Sequence, residues 1–426
     1  MKHVLMQKMV VLLIIVFGYS IANAGEYDFD VDSFKKKLFE YSGVLTLNPE
    51  YTFLNQKTPL YLPKYSDRDI AFIQMYTLSA FADFGINWNS MKGYISGKGT
   101  LQLEYTDSSI FDYEIKPYEA YLSGTIDKIS LSIWGGKKVF KWGKGYAYNP
   151  ANFASRPKDI NDIDASLEGY YSVSAEYIRS FSGALSNIAI TTGIIPVYNL
   201  LNEGFRDING VSVFSQMYML LLNTDIDVAV IADNNIDIKV GAGVSKNLFS
   251  NLEVHAEWAV DFKNKHTSLK YYEAASDVVN EFVGGIRYLT PFNTTIIAEY
   301  IYNGNGANPS EMNTWFQLLD NAVSGYKNPL LSQQMKDKSG QFVMRNYAYL
   351  KFSQPEIFNI LYFNPSLYTI INIDDQSFSA GVDISYTRFT NIRLSLKYAL
   401  LYGEIDSEYG SKPGRHKIGF KAEWSF

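Results

Sequence analysis

The last twelve residues, Arg415 to Phe426, read RHKIGFKAEWSF. Ile418, Phe420, Ala422, Trp424 and Phe426 alternate with Lys417, Gly419, Lys421, Glu423 and Ser425. Successive side chains of a β-strand point to opposite faces, so this stretch has one apolar and one polar face.

The same period of two returns upstream. Ile392, Leu394, Leu396, Tyr398 and Leu400 alternate with a set that holds Arg393, Ser395 and Lys397. Leu252, Val254, Ala256, Trp258, Val260 and Phe262 alternate with Glu253, His255, Glu257, Ala259 and Asp261. Eighteen segments read as strands: 36–48, 69–87, 92–106, 112–124, 128–140, 170–180, 185–196, 213–223, 225–232, 236–246, 250–262, 280–289, 293–303, 344–353, 364–373, 376–387, 390–402 and 415–426. Eighteen is even, as single-chain bacterial outer-membrane barrels require. The long connections, 49–68, 141–169, 197–212, 263–279, 304–343 and 403–414, all follow odd-numbered strands. Those after even strands are short, apart from 354–363. Barrels place long loops outside and short turns on the periplasmic side. A soluble antiparallel sheet gives the same alternation, but it has no reason for this asymmetry. Tyr105, Tyr288, Tyr302, Tyr386, Tyr402 and Trp424 at strand ends fit aromatic girdles. The terminal Phe426, with Trp424 two residues before it, resembles the assembly signal of bacterial outer-membrane barrels. That resemblance implies recognition by the barrel-assembly machinery. The expected fold is all-β: a transmembrane antiparallel up-and-down β-barrel of about 18 strands (16–18), set among outer-membrane lipid and lipopolysaccharide.

Composition agrees. The 426 residues are 47% hydrophobic and 15% aromatic, which excludes a disordered chain. A net charge of −6 argues against nucleic acid as a partner. The absence of Cys excludes a disulfide scaffold, a thiolate metal site and a c-type haem. Lys2 and Lys8, the apolar run Met9 to Phe17 and Ala22-Asn23-Ala24 form a secretory leader with a cleavage site. Residues 1–24 are therefore expected to be a signal peptide and 25–426 a single barrel domain. The segment before the first strand is too short for a plug.

The most distinctive connection is WGGKKVFKWGKGYAYNPANFASRPKDINDIDASLEGYY, residues 134–171. It carries Lys138, Lys141, Lys144, Arg156 and Lys158 beside Asp159, Asp162, Asp164 and Glu168. Such a loop folded into a barrel would narrow the pore and set a transverse field. A solvated surface loop is the alternative. Asp159, Asp162 and Asp164 offer oxygen ligands for calcium, but their spacing misses the EF-hand pattern, so no metal or cofactor is expected. Trp142, Gly143, Gly145, Asn149, Pro150, Pro157 and Asp159 resemble a segment of porin-like outer-membrane families of mostly unassigned function, among them alginate-export-like and exporter-associated barrels. The resemblance implies a barrel and leaves the substrate open.

In 304–343, Ser310 to Asn321 (SEMNTWFQLLDN) reads as a short helix, with Ser310 as N-cap and Met312, Trp315, Phe316 and Leu319 on one face. It either covers the extracellular mouth or packs its own loop.

The polar strand faces should line the lumen. Candidates there include Glu253, His255, Glu257, Arg287, Arg345, Arg393 and Lys397. Both signs are present, which suits small polar or zwitterionic solutes. The function expected is a porin-like channel for small hydrophilic solutes. A barrel partner of an envelope complex, exporter-associated or an electron-conduit sleeve, is the alternative. A barrel enzyme built on Glu253, His255 and Glu257 is the remaining class, and the chain is not expected to be one. Oligomeric state stays open.

Overall fold

The computed structural model describes residues 38–65, 68–158, 166–198, 201, 202, 205, 209–233, 237–265, 276–323 and 342–426. The expected leader, 1–24, lies outside them.

Eighteen strands follow one another: β1 Phe39–Leu54, β2 Phe72–Trp88, β3 Met91–Tyr105, β4 Ser109–Ile126, β5 Leu131–Lys138, β6 Tyr170–Ser180, β7 Leu185–Val197, β8 Gly210–Leu221, β9 Thr224–Asp233, β10 Ile238–Phe249, β11 Leu252–Lys265, β12 Ser276–Leu289, β13 Thr295–Asn303, β14 Asn346–Ser353, β15 Phe363–Asn372, β16 Phe378–Tyr386, β17 Ile392–Tyr402 and β18 Gly414–Ser425. Each pairs antiparallel with its neighbours in the chain, and β1 closes the sheet on β18. Every expected segment is a strand. The edges move: β1 continues to Leu54 because the alternation of Tyr51 and Phe53 with Glu50 and Thr52 stays paired to both neighbours. β5 stops at Lys138, where the chain turns into its long connection. β14 starts at Asn346, so Arg345 precedes it.

At the seam, Phe426 N–H donates to Gly43 O and Gly43 N–H donates to Phe426 O, both at 3.0 Å. The Phe426 ring lies over Gly43, where any side chain would collide with it. An aromatic ring thus covers the backbone that a glycine leaves bare, at the last pairing of the barrel.

The two faces invert the pattern of a soluble protein. On β11, Trp258 and Phe262 are 43% and 48% exposed, while Glu257 and His255 of the alternate set are only 1% and 4% exposed. The register carries this around the sheet: the apolar set faces out and the polar set faces in. On the outer face, Tyr51, Tyr76 and Tyr105 meet edge to face at the long-loop end. Trp424 and Phe426 meet at the short-turn end. The strands that precede the long connections, β1, β5, β7, β11, β13 and β17, are all odd-numbered and so all end at the same edge of the barrel.

Among the described residues two α-helices sit in those connections, α1 (Tyr61–Tyr65) and α2 (Pro309–Val323). The N-cap of α2 is Asn308, not Ser310. Asn308 Oδ1 accepts from Glu311 N–H and Glu311 Oε2 accepts from Asn308 N–H, both at 2.9 Å, with Pro309 at the first helical position. This is a reciprocal capping box, and Pro costs nothing there because its missing N–H would have been unpaired. The expected face of Met312, Trp315, Phe316 and Leu319 is buried. It packs against Ala147 of the long connection and against Ile301, Phe342 and Tyr347.

Candidate functional site

The inner wall of β9 to β12 is built from small side chains at the positions that matter. Ala229, Gly241 and Ala259 stand side by side on β9, β10 and β11, and Gly243 adjoins Asp227 and Glu257. These residues leave a shallow trough, and the connection after β5 lies in it. A side chain on Gly241 would meet Ala151 and Phe153 of that loop, at 2.8 and 2.9 Å. Residues 139–158 therefore run along the inner face, among the polar side chains.

Two buried carboxylates hold the loop there. Glu257 accepts from the backbone N–H of Lys144, from Gly145 N–H at 2.7 Å, from Asn149 Nδ2 at 2.8 Å and from Ala151 N–H at 3.3 Å. Glu299 on β13 accepts from Tyr146 N–H at 2.5 Å and Ala147 N–H at 2.8 Å. Buried carboxylates are tolerated only when hydrogen-bonded or paired, and each here receives a cluster of backbone donors. The loop's own N–H groups would otherwise be orphans inside the barrel.

The conformation that aims these donors depends on the motif residues singled out in the sequence. Gly143 adopts φ +95°, which a side chain would strain. Asn149 Nδ2 also donates to Gly145 O at 3.0 Å, closing the turn on itself. Trp142 packs with Phe140 and Phe214, ring centroids 5.3 and 5.6 Å away.

The charged candidates divide. Lys144 Nζ reaches Asp227 at 2.6 Å. Lys158 donates to Gly145 O at 2.7 Å. Burial lowers the pKa of this ammonium, against the opposing pull of Glu257 and Glu299. Arg156 pairs with Glu168 at 3.1 Å, and Lys137 of β5 donates to the same oxygen at 2.7 Å. Burial works against the Glu168 carboxylate, but these cations outweigh it and hold its pKa below the usual value. Lys141 is exposed. Lys138 ends β5 with its ammonium 3.5 Å from the centre of the Trp134 ring. Asp159, Asp162 and Asp164 lie outside the described residues. Among the described residues no group of acidic or His side chains has the geometry to hold a metal ion.

Of the lumen candidates, His255 is buried and its partner is Glu299, with Nε2 to Oε1 at 2.9 Å across two strands. Gly285, on the strand between them, makes this reach possible: a Cβ there would stand 2.9 Å from His255 Nε2 and 2.7 Å from Glu299 Cγ. Glu253 is the weaker neighbour, at 3.7 Å from Nδ1, and Arg287 stands 3.6 Å from Glu253. Glu257 serves the loop. Glu253, His255 and Glu257, expected to line the lumen, are thus divided: Glu253 stands by Arg287, His255 meets Glu299, and Glu257 anchors the loop. Arg345 donates to Gly306 O at 2.9 Å and stands 3.7 Å from Glu311, at the base of α2.

On the opposite wall the charges are wet. Lys397 pairs with Asp383 at 3.5 Å, Arg393 with Glu423 at 3.9 Å and Lys417 with Glu50 at 2.9 Å. The side chains of Arg393, Lys397 and Lys417 are 54%, 47% and 49% exposed. The inner surface is therefore asymmetric, with a loop-covered acidic wall on β9 to β13 and an open wall of paired charges on β16 to β18 and β1.

Sequence reasoning missed Glu299, Asp227 and Glu408. Glu299 had a signal, because it is the single charge in Ile296–Tyr302 of an otherwise apolar strand. Glu408 had none. It sits in the 403–413 connection, fully buried, and binds Tyr347 Oη at 2.5 Å and Asn372 Nδ2 at 2.8 Å. Burial raises its pKa.

No family model matches the chain, and no curated protein aligns with its sequence. The fold matches solved structures from Pseudomonas aeruginosa. OpdL has a TM-score of 0.53 at 10% identity, over 91% of this chain and 98% of that one. The outer membrane protein OpdK has a TM-score of 0.52 at 7% identity, over 91% and 99%. OprD has a TM-score of 0.50 at 10% identity, over 94% and 99%. OpdK has also been solved with vanillate. At these identities the likeness is one of fold, the porin-like 18-stranded barrel. It supports a porin-like barrel and not the alginate-export-like families in particular.

Proposed function

We propose that the chain is an outer-membrane channel that passes small hydrophilic solutes selectively, beside a constriction made by residues 139–158. One observation carries the reading: the long loop is fastened to the inner wall by Glu257 and Glu299, while the facing wall keeps hydrated charges of both signs. A barrel of sixteen to eighteen strands leaves an aqueous lumen, and a loop against one wall narrows it without filling it. Arg393, Lys397 and Lys417 on the open wall each stand beside a carboxylate, so the lining offers neighbouring opposite charges. That suits zwitterionic solutes, which can meet both partners at once.

The outward apolar face supports an outer-membrane location, because charged residues on such a face would cost about 2–4 kcal/mol each at the bilayer midplane and are absent from it there among the described residues. Export through a leader cleaved after Ala24, and assembly through the strand that ends in Phe426, belong to the same proposal. The inward loop weighs against a sleeve for an electron carrier or an exporter, which would need the lumen clear.

The test is liposome swelling with the purified full-length barrel. Neutral and zwitterionic amino acids should enter faster than sugars of equal size. Equal rates for all solutes of one size would leave a plain sieve and remove the selectivity.

A further inference from the structure

The inner face of β3 to β5 carries an aromatic patch that the proposed route does not explain. Tyr94, Tyr121 and Trp134 all have the inward register and are partly exposed. The Tyr94 and Tyr121 rings are 5.5 Å apart. Two cations reach this patch: Lys92 Nζ lies 5.4 Å from the Tyr94 ring centre, and Lys138 stands among the other rings. Lys138 Nζ lies 3.5 Å from the Trp134 ring centre and 5.6 Å from those of both Tyr121 and Phe140. Glu119 and Glu176 act on its charge from further off, beyond ion-pair distance. Among the described residues the Lys138 ammonium has no hydrogen-bond acceptor. A primary ammonium carries three N–H donors and is poorly served in such a place. A cation with no N–H to donate would lose nothing there. Three ring faces, with the charges of Glu119 and Glu176 acting from further off, form the environment that attracts a quaternary ammonium.

We infer that Trp134, Tyr121 and Phe140 form a subsite for small quaternary-ammonium solutes, which Lys138 fills as a tethered substitute until a solute displaces it. This deepens the channel reading and rests on it for access through the lumen. It adds a substrate class, methylated organic cations and betaine-like zwitterions, to a route otherwise described only by charge.

The experiment is calorimetric titration of choline into the full-length barrel folded in detergent, with ethanolamine as the control that keeps its N–H groups. Lys138→Met vacates the cage and should tighten choline binding about tenfold, the scale of a desolvated cation–π contact. Adding Trp134→Leu to it should abolish that gain, and Trp134→Phe should leave an intermediate affinity, which separates lost binding from lost folding. The heat-dependent gel shift of a folded barrel checks each variant. Equal choline affinity in wild type and Lys138→Met overturns the proposal. So does ethanolamine binding as tightly as choline, or a folded Lys138→Met barrel that binds neither. The channel reading is judged separately by conductance. A barrel that binds choline but passes no current keeps the subsite and loses the channel. One that conducts but ignores choline does the reverse.

Discussion

A single carboxylate decides where the loop sits. Glu257 takes four donors from the 144–151 stretch, three of them backbone N–H groups. Replacing it by Leu would leave those donors without acceptors, at about 1–3 kcal/mol for each that stays buried. Glu257→Leu should therefore release the loop rather than unfold the barrel. Limited trypsin digestion should cut at Lys144 or Lys158 in this variant and leave wild type intact. Equal resistance would mean that Glu299 alone suffices. Gly285→Val tests the neighbouring contact. Its side chain would intrude between His255 and Glu299, and overpacking of this kind costs about 1–3 kcal/mol. The barrel should lose its folded gel form at a lower temperature than wild type.

Glu168 adds a pH dependence. Its folded pKa is depressed by Lys137 and Arg156, so its contribution is present above the unfolded carboxylate pKa, about 4.3, and is lost as pH falls through the folded value. Loop protection against an acid-active protease should therefore decline below about pH 4. Glu168→Gln should show reduced protection already at neutral pH and little further change with acid.

Among the elements, the strands were legible and the loop's resting place was not. Alternation is a local property, and in β10, β11, β17 and β18 each face meets one environment along its whole length, so period two survives in the sequence. Edges failed where a neighbour decided them, as with β1, whose extension depends on its pairing to β2 and β18. Lys144 and Arg156 were visible as charges, but their partners, Asp227 and Glu168, were fixed by register and by chain reversal. The Asn308 cap escaped because Asn308 stands two residues before Ser310, with Pro309 between them. Conversely, the four apolar residues of α2 were readable, since spacings of three and four residues put them on one face wherever the helix docks. Replacing residues 143–158 by a short Gly-Ser linker should widen the pore. Single-channel conductance in a planar bilayer should rise, and ion selectivity should shift, because the linker removes Lys144 and Lys158 and bares Asp227, Glu257 and Glu299. Unchanged current and selectivity would place the loop outside the conduction path.

For the whole molecule, the question is whether the barrel conducts without help. Eighteen strands enclose more space than wall side chains fill, since about eight strands already suffice to pack an interior. Here the extra filling is the 139–158 loop on one side and α2 with the 403–413 connection at the long-loop end. On the other side Arg393, Lys397 and Lys417 keep about half their side-chain surface in contact with solvent. Ions confined in such a lumen should move freely, so purified barrel in a planar bilayer should give steady current with no partner and no energy source. Its selectivity is expected to be weak, because Arg393, Lys397 and Lys417 of the open wall are each paired with a carboxylate. Reversing one partner, as in Asp383→Lys, removes that balance and should shift the zero-current potential toward anion preference. Lys397→Glu should shift it the other way. Opposite shifts would locate this wall in the pore. A folded barrel that stays silent, and stays silent after residues 143–158 are replaced, would point to closure by α2 and its neighbours and would defeat the free-channel reading.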